Sequence, residues 1–177
     1  MRRIRYGVGM SLNGFIADRH GKTDFLVSDS TYDPAPFFAS IDSVIMGRLT
    51  YQEAVRQGMR AYTGLRNYVV SRTLAAADYP EVTILRDMRA VKELRRASGK
   101  DVWLCGGGVL LASLLAAGLV DTVELGVSPT LLGGDGTPML GLAPRLPPVV
   151  PLELTHHRAL PSGLLVLEYA VRKRRKA

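Results

Sequence analysis

Three times along this chain a short apolar run ends in glycine or serine and turns at once toward a helix or loop. The runs are residues 43–47 (SVIMG), 67–71 (NYVVS) and 101–108 (DVWLCGGG). The first is followed by RLTYQEAVRQG, a helical pattern closed by Gly58, and the third by VLLASLLAAG, closed by Gly118. Between them, residues 82–85 (VTIL) read as a strand. DMRAVKELRRAS is amphipathic, with Met88, Val91, Leu94 and Ala97 on one face and Asp87 as its cap. Strands alternating with helices place the strands parallel and the helices over the sheet.

The flanks complete the pattern. Ile4, Tyr6, Val8 and Met10 recur with the period of a strand, and Asn13-Gly14 marks a turn. Residues 18–36 form a long polar loop. Asp33-Pro34 then reads as a helix start, Asp as N-cap and Pro in the first turn, with the helix running through Phe37, Phe38 and Ile41. Residues 120–128 (VDTVELGVS) read as a strand before a Gly/Pro-rich loop. VPLELTHHRAL and GLLVLEYAV form a hairpin about Pro161-Ser162-Gly163. The expected architecture is one α/β domain over residues 1–171, with a mostly parallel sheet and an antiparallel C-terminal edge. A basic tail follows at 172–177.

Charge enters here because the net charge is +7, from 23 Lys and Arg against 16 Asp and Glu. Arg2, Arg3, Arg5, Arg172, Lys173, Arg174, Arg175 and Lys176 account for it. Without these eight, 15 basic residues face 16 acidic ones. A broadly basic, nucleic-acid-binding surface is therefore not expected. The single cysteine, Cys105, excludes an intrachain disulfide, and three histidines without HExxH give no metal motif. No apolar run is long enough for a membrane span, and the first residues lack a signal-peptide pattern. A cytoplasmic protein is the expectation. Trp103 and Cys105 read as core residues of a central strand, and His156 and His157 as surface residues.

Strand ends that feed helices in an open α/β sheet are where ligands bind. Helix N-termini there carry free N–H groups and partial positive charge, which suits phosphate. Glycine permits close approach, Arg48 and Arg72 can add charge-assisted bonds, and Thr50 and Ser71 can add hydroxyls. Three such junctions together suggest a dinucleotide. The consecutive glycines at 106–108 are not a GxGxxG fingerprint, so a Rossmann reading loses its motif.

VIMGRLTY, NYVVSRT and VWLCGGGVLLASLL resemble segments of the dihydrofolate reductase fold. GMSLNGFIAD and GLVDTVELGVSPTLLGGDGTPML resemble the C-terminal reductase domain of riboflavin-biosynthesis deaminase–reductases. The resemblance spans about residues 4–170. It implies a dihydrofolate-reductase-like α/β/α fold, an NADPH-dependent hydride transfer and a homodimer. The implied substrate is a small pyrimidine or pteridine, most like 5-amino-6-(5-phosphoribosylamino)uracil. Dihydrofolate reduction, or a non-catalytic nucleotide- or nucleic-acid-binding role on the same fold, are the alternatives. By the same resemblance Gly47, Arg48 and Thr50 hold the cofactor's phosphates, and Ser71 and Arg72 its adenosine 2′-phosphate. Gly106, Gly107, Gly108 and Val109 cradle the pyrophosphate.

For the proton that hydride transfer to C=N requires, the carboxylate candidates are Asp33 and Asp24. Asp33 and Asp29 are the nearest matches to the carboxylate by which dihydrofolate reductases, which the chain resembles, hold the pterin. Phe25 is placed to pack on a flat ring. Asn13, which stands where the riboflavin branch carries Asp, and Gly134, in a possible N–H nest, are the remaining substrate candidates. A zinc deaminase domain like that of the fused relatives is not expected, since the sequence opens on the reductase strand and has one cysteine.

Overall fold

The computed structural model describes residues 1–140 and 149–172. The strands are β1 (Ile4–Ser11), β2 (Phe15–Ala17), β3 (Ile41–Gly47), β4 (Arg66–Val70), β5 (Thr83–Leu85), β6 (Asp101–Gly106), β7 (Thr122–Ser128), β8 (Thr137–Pro138), β9 (Leu152–Ala159) and β10 (Leu165–Val171). The helices are α1 (Ala35–Ser40), α2 (Arg48–Arg56), α3 (Met88–Arg96) and α4 (Gly108–Ala116). Eight strands form one sheet in the order β5-β4-β3-β6-β1-β7-β10-β9. The pairs from β5 to β7 are parallel, whereas β10 is antiparallel to both β7 and β9. This is the dihydrofolate-reductase-like three-layer α/β/α arrangement, closed by the expected C-terminal hairpin.

Alternation along each strand sends side chains to two different cores. One face of the central strands carries Ile4, Tyr6, Ile45, Leu104 and Val123, packed against Val91 and Leu94 of α3 and Leu110, Leu111 and Leu114 of α4. On the other, Val44, Met46 and Val69 pack against Tyr51 of α2. Each such fully buried aliphatic side chain contributes about 1.5–3 kcal/mol relative to exposure. Asp87 caps α3 as expected, accepting from the Ala90 amide at 2.9 Å. Gly118 closes the α4 end with φ of 64°.

Several local expectations shift. Ile41 does not extend α1; it opens β3 and is buried, because its apolar side chain fits a strand start as well as a helix face. Pro34, not Asp33, flanks α1, and the Asp33 carboxylate accepts from the Ala35 amide at 2.9 Å. Ala97 follows the last residue of α3 and is exposed. Met139's amide bonds to the Gly14 carbonyl, and β2 pairs with β8 in a two-stranded sheet that had no counterpart in the sequence reading.

The leading arginines are structural rather than a solvated charge cluster. Arg2 is buried, with its guanidinium bound to Asp42, to the Ser43 hydroxyl and to the Lys100 carbonyl. Removing one partner of such a buried pair costs about 3–5 kcal/mol. Arg5 grips Glu124 with two parallel bonds of 2.7 Å. At the other end Arg172 belongs to the hairpin, its amide bound to the Pro151 carbonyl and its side chain 3.2 Å from Glu153. The rest of the basic tail lies outside the described residues.

Candidate active site

The three junctions lie side by side. β4, β3 and β6 are adjacent and parallel, with Gly47 in register with Val70 and Met46 with Gly106. The sheet thus delivers Gly47–Arg48, Val70–Ser71 and Gly106–Gly107 to one edge. A Cβ built on Gly107 would lie 3.0 Å from the Thr50 hydroxyl, so a side chain there would press the β6–α4 turn against α2. Gly106 has φ of 133°, and a Cβ there would enter open space. The caps of α2 and α4 are Gly47 and Gly107, and neither helix start receives a side-chain cap. Both N-termini therefore present backbone N–H groups at one edge, where an anion is favoured.

Around them, Arg48 is exposed and donates to Gln52 Oε1 at 2.8 Å. Arg72 and Val109 are exposed, and Thr50 is half-buried. Ser71 is buried, and its hydroxyl accepts from the Leu74 and Thr73 amides at 3.0 and 3.3 Å. Its oxygen thus shapes the turn that presents Arg72. Arg86, which the sequence gave no reason to select, ties the same turn by donating to the Ser71 and Leu74 carbonyls at 3.2 and 2.6 Å.

Next to this edge, on the α1 side of β6, β1, β7 and β10, lies a cavity of about 450 Å³. Its floor is partly bare backbone at Gly7, Gly9 and Gly126. Phe37 and Phe38 from α1 and Trp103 from β6 form a mutual edge-to-face cluster, with centroids 5.5–5.9 Å apart. The Trp103 indole donates to the Gly7 carbonyl at 2.9 Å. Trp103 is therefore not simply a core residue; it walls a cavity. Cys105, two residues further along β6, is half-buried. Burial pushes its thiol pKa up, opposed by the Tyr62 hydroxyl 3.3 Å away.

The polar lining was largely invisible in the sequence. Asp29 accepts from the Thr31 amide and hydroxyl at 2.8 and 2.6 Å and from the Ser162 amide at 2.9 Å. These bonds, led by those from Ser162 and Thr31, hold its carboxyl well below the usual carboxylate range. Glu124 is held by Arg5, whose guanidinium also lies 4.8 Å over the Phe37 ring, and accepts from Thr122 at 2.8 Å. Glu168 and Tyr32 complete this wall, and burial raises the Tyr32 pKa. The available signal was an acidic residue inside an apolar strand, at positions 124 and 168.

The sequence-selected substrate residues sit elsewhere. Asp24 and Asp33 are exposed, and neither lines the cavity; nor do Phe25 and Gly134. Asn13 braces a loop instead: its amide exchanges bonds of 2.8 and 3.1 Å with the Leu132 backbone and accepts from Ser11 at 2.8 Å. Among the described residues no group of His, Cys, Asp and Glu could hold a metal ion, and no helix is long and apolar enough to cross a membrane.

Comparison with known proteins agrees with this geometry. The family model described as the RibD C-terminal domain matches residues 2–166. The uncharacterised protein YyaP of Bacillus subtilis is 26% identical over 182 residues, which is 95% of this chain and 94% of YyaP. A solved structure from Shewanella sp. PV-4, described as a candidate riboflavin biosynthesis protein, superposes with a TM-score of 0.79 at 22% identity, covering 98% of this chain and all of that one. Dihydrofolate reductase of Enterococcus faecalis, solved with NADP(H), gives 0.69 at 13% identity and 97% coverage of both chains. Both structures share the fold.

Proposed function

The chain belongs to the RibD C-terminal domain family, and we propose that it is an NADPH-dependent reductase of a small pyrimidine- or pteridine-type substrate. The observation that carries this reading is the juxtaposition of two sites on β6. Its end, Gly106, joins the anion-suited edge, and its Trp103 walls the apolar cavity. A dinucleotide held along the edge would direct its reactive ring toward a flat substrate in the cavity.

The residues present suit the cofactor. The open space at Gly106 and the uncapped starts of α2 and α4 leave backbone N–H groups for the pyrophosphate. Arg48 and Thr50 would flank such phosphates, and Gly108 and Val109 begin α4, whose N-terminus would face them. Arg72, presented by the Ser71 turn, would pair with the 2′-phosphate. When bound, the cofactor supplies the hydride. The chain would supply orientation: Phe37, Phe38 and Trp103 and the loop at Leu26–Asp29 line the space a substrate ring would occupy.

Calorimetric titration with NADPH and NADH tests this. NADPH should bind more tightly, and Arg72→Ala should shrink the preference about tenfold. Equal affinities in the unmodified protein would remove the 2′-phosphate role, and no binding of either would remove the reductase reading. The homodimer is supported by β9, an edge strand exposed at all eight residues and carrying Leu152 and Leu154. A monomeric mass by light scattering would contradict it.

A further inference from the structure

The charge balance of the cavity is one-sided. Among its described lining residues the charged side chains are Asp29, Glu124 and Glu168. Glu124 and Glu168 are direct partners across the antiparallel β7–β10 pair, on the same face of the sheet. Directly opposed like charges destabilise a sheet unless something offsets them. Arg5 offsets Glu124 with its two-bond grip. Asp29 is satisfied by the neutral donors of Thr31 and Ser162, which stabilise its charge without cancelling it.

Glu168 is different. Its side chain is 42% exposed, and among the described residues the one basic side chain within 4 Å of it is the neighbouring His156 imidazole, 3.5 Å away and itself 79% exposed. The other groups about it are Tyr32, and His157 and Arg158 on the edge strand. Arg158 directs its guanidinium to the Thr31 carbonyl at 3.3 Å. Glu168 borders both the main cavity and this outer recess, so it stands where a ligand in the cavity turns toward solvent.

We propose that Glu168 makes the cavity selective for a flat heterocycle whose facing edge is cationic or rich in N–H donors, over one that carries a phosphate. This inference rests on the cavity being the substrate site of the proposed reductase. A carboxylate matches a ring edge that presents an amino group beside a protonated nitrogen, through paired charge-assisted bonds. A phosphate entering the same space would meet three carboxylates, one of them offset by Arg5.

Trp103 is the only tryptophan of the chain and lines the cavity, so its emission reports occupancy without any turnover. The experiment titrates the full chain with 2,4-diaminopyrimidine and with uridine 5′-monophosphate at neutral pH. The diaminopyrimidine should bind more tightly, and Glu168→Gln, which keeps the side chain's size, should weaken it about tenfold while leaving the monophosphate no weaker. Tighter binding of the monophosphate, no binding of the diaminopyrimidine, or an unchanged affinity in a folded Glu168→Gln variant would each overturn the proposal. The preference within the unmodified protein decides the matter if the variant misfolds. Loss of tight monophosphate binding in Arg158→Ala would show that the outer recess reads phosphate, again against the proposal. A separate NADPH titration keeps the two readings apart: diaminopyrimidine selectivity without NADPH binding preserves this inference and removes the reductase, and the opposite pattern does the reverse.

Discussion

The two sides of the site are built from different materials. At the junction edge the working surface is backbone: glycines, uncapped helix starts, and two exposed arginines at the rim. In the cavity it is side chains: three aromatic rings and three carboxylates set over a glycine floor. Backbone N–H groups are the same in every chain, so an edge of that kind suits one ligand shared by many proteins. Side chains can be exchanged one at a time without disturbing the strands beneath them. A fold built this way could keep its edge unchanged while the lining of the cavity beside it varies.

Substitutions can separate the two sides or show that they are one. The largest effect is expected on β6, the strand that serves both. Trp103→Ala removes the aromatic wall and the bond to Gly7, and should lower unfolding stability by about 2–4 kcal/mol in urea titrations while abolishing ligand binding in the cavity. Gly107→Val should come next. Its added carbons meet the Thr50 hydroxyl, and NADPH affinity should fall about a hundredfold by calorimetry while diaminopyrimidine affinity changes less than about twofold. A parallel loss of both would mean the sides are not separable.

Gly126→Val is the mirror experiment. A Cβ there has ordinary contacts with Leu164 and Gly9, so the strand tolerates it, but the side chain occupies the cavity floor. Ligand binding there should weaken about tenfold and NADPH binding should hold. The smallest effect concerns Asp29. Its folded carboxyl is more acidic than in the unfolded chain, through its bonds to Ser162 and Thr31. Its stabilisation is therefore complete above the ordinary Asp pKa of about 3.9 and is lost as pH falls toward the folded value. Asp29→Asn should flatten the acid limb of a Tm–pH profile and leave the neutral region nearly flat.

The edge was legible in the sequence because each junction is a contiguous segment. Gly47-Arg48, Ser71-Arg72 and Gly106-Gly107 announce their geometry within a few residues, and parallel topology alone brings them together. The cavity draws instead on Gly7, Trp103, Glu124 and Glu168, which come from four strands as much as 161 residues apart. No local pattern links them. Asp24 and Asp33 attracted attention through neighbouring loop residues, yet that loop exposes them and turns Asp29 inward. Arg2 and Arg5 read as terminal charge because sequence position says nothing about burial. The sheet places Asp42 and Glu124 against them.

The position of β1 has a further consequence, for synthesis. β1 is a central strand, and its partners are β6 and β7, in register with Val102 and with Thr122 through Ser128. Nothing nearer in the chain can pair with it. At a translation rate of about 5–20 residues per second, roughly 6–25 s pass between the making of β1 and the making of its last partner. Until β6 is made, β1 is an apolar strand with two open edges, and one edge stays open until β7 follows. Ile4, Tyr6 and Val8 are thus the residues at which a holding chaperone would first be needed.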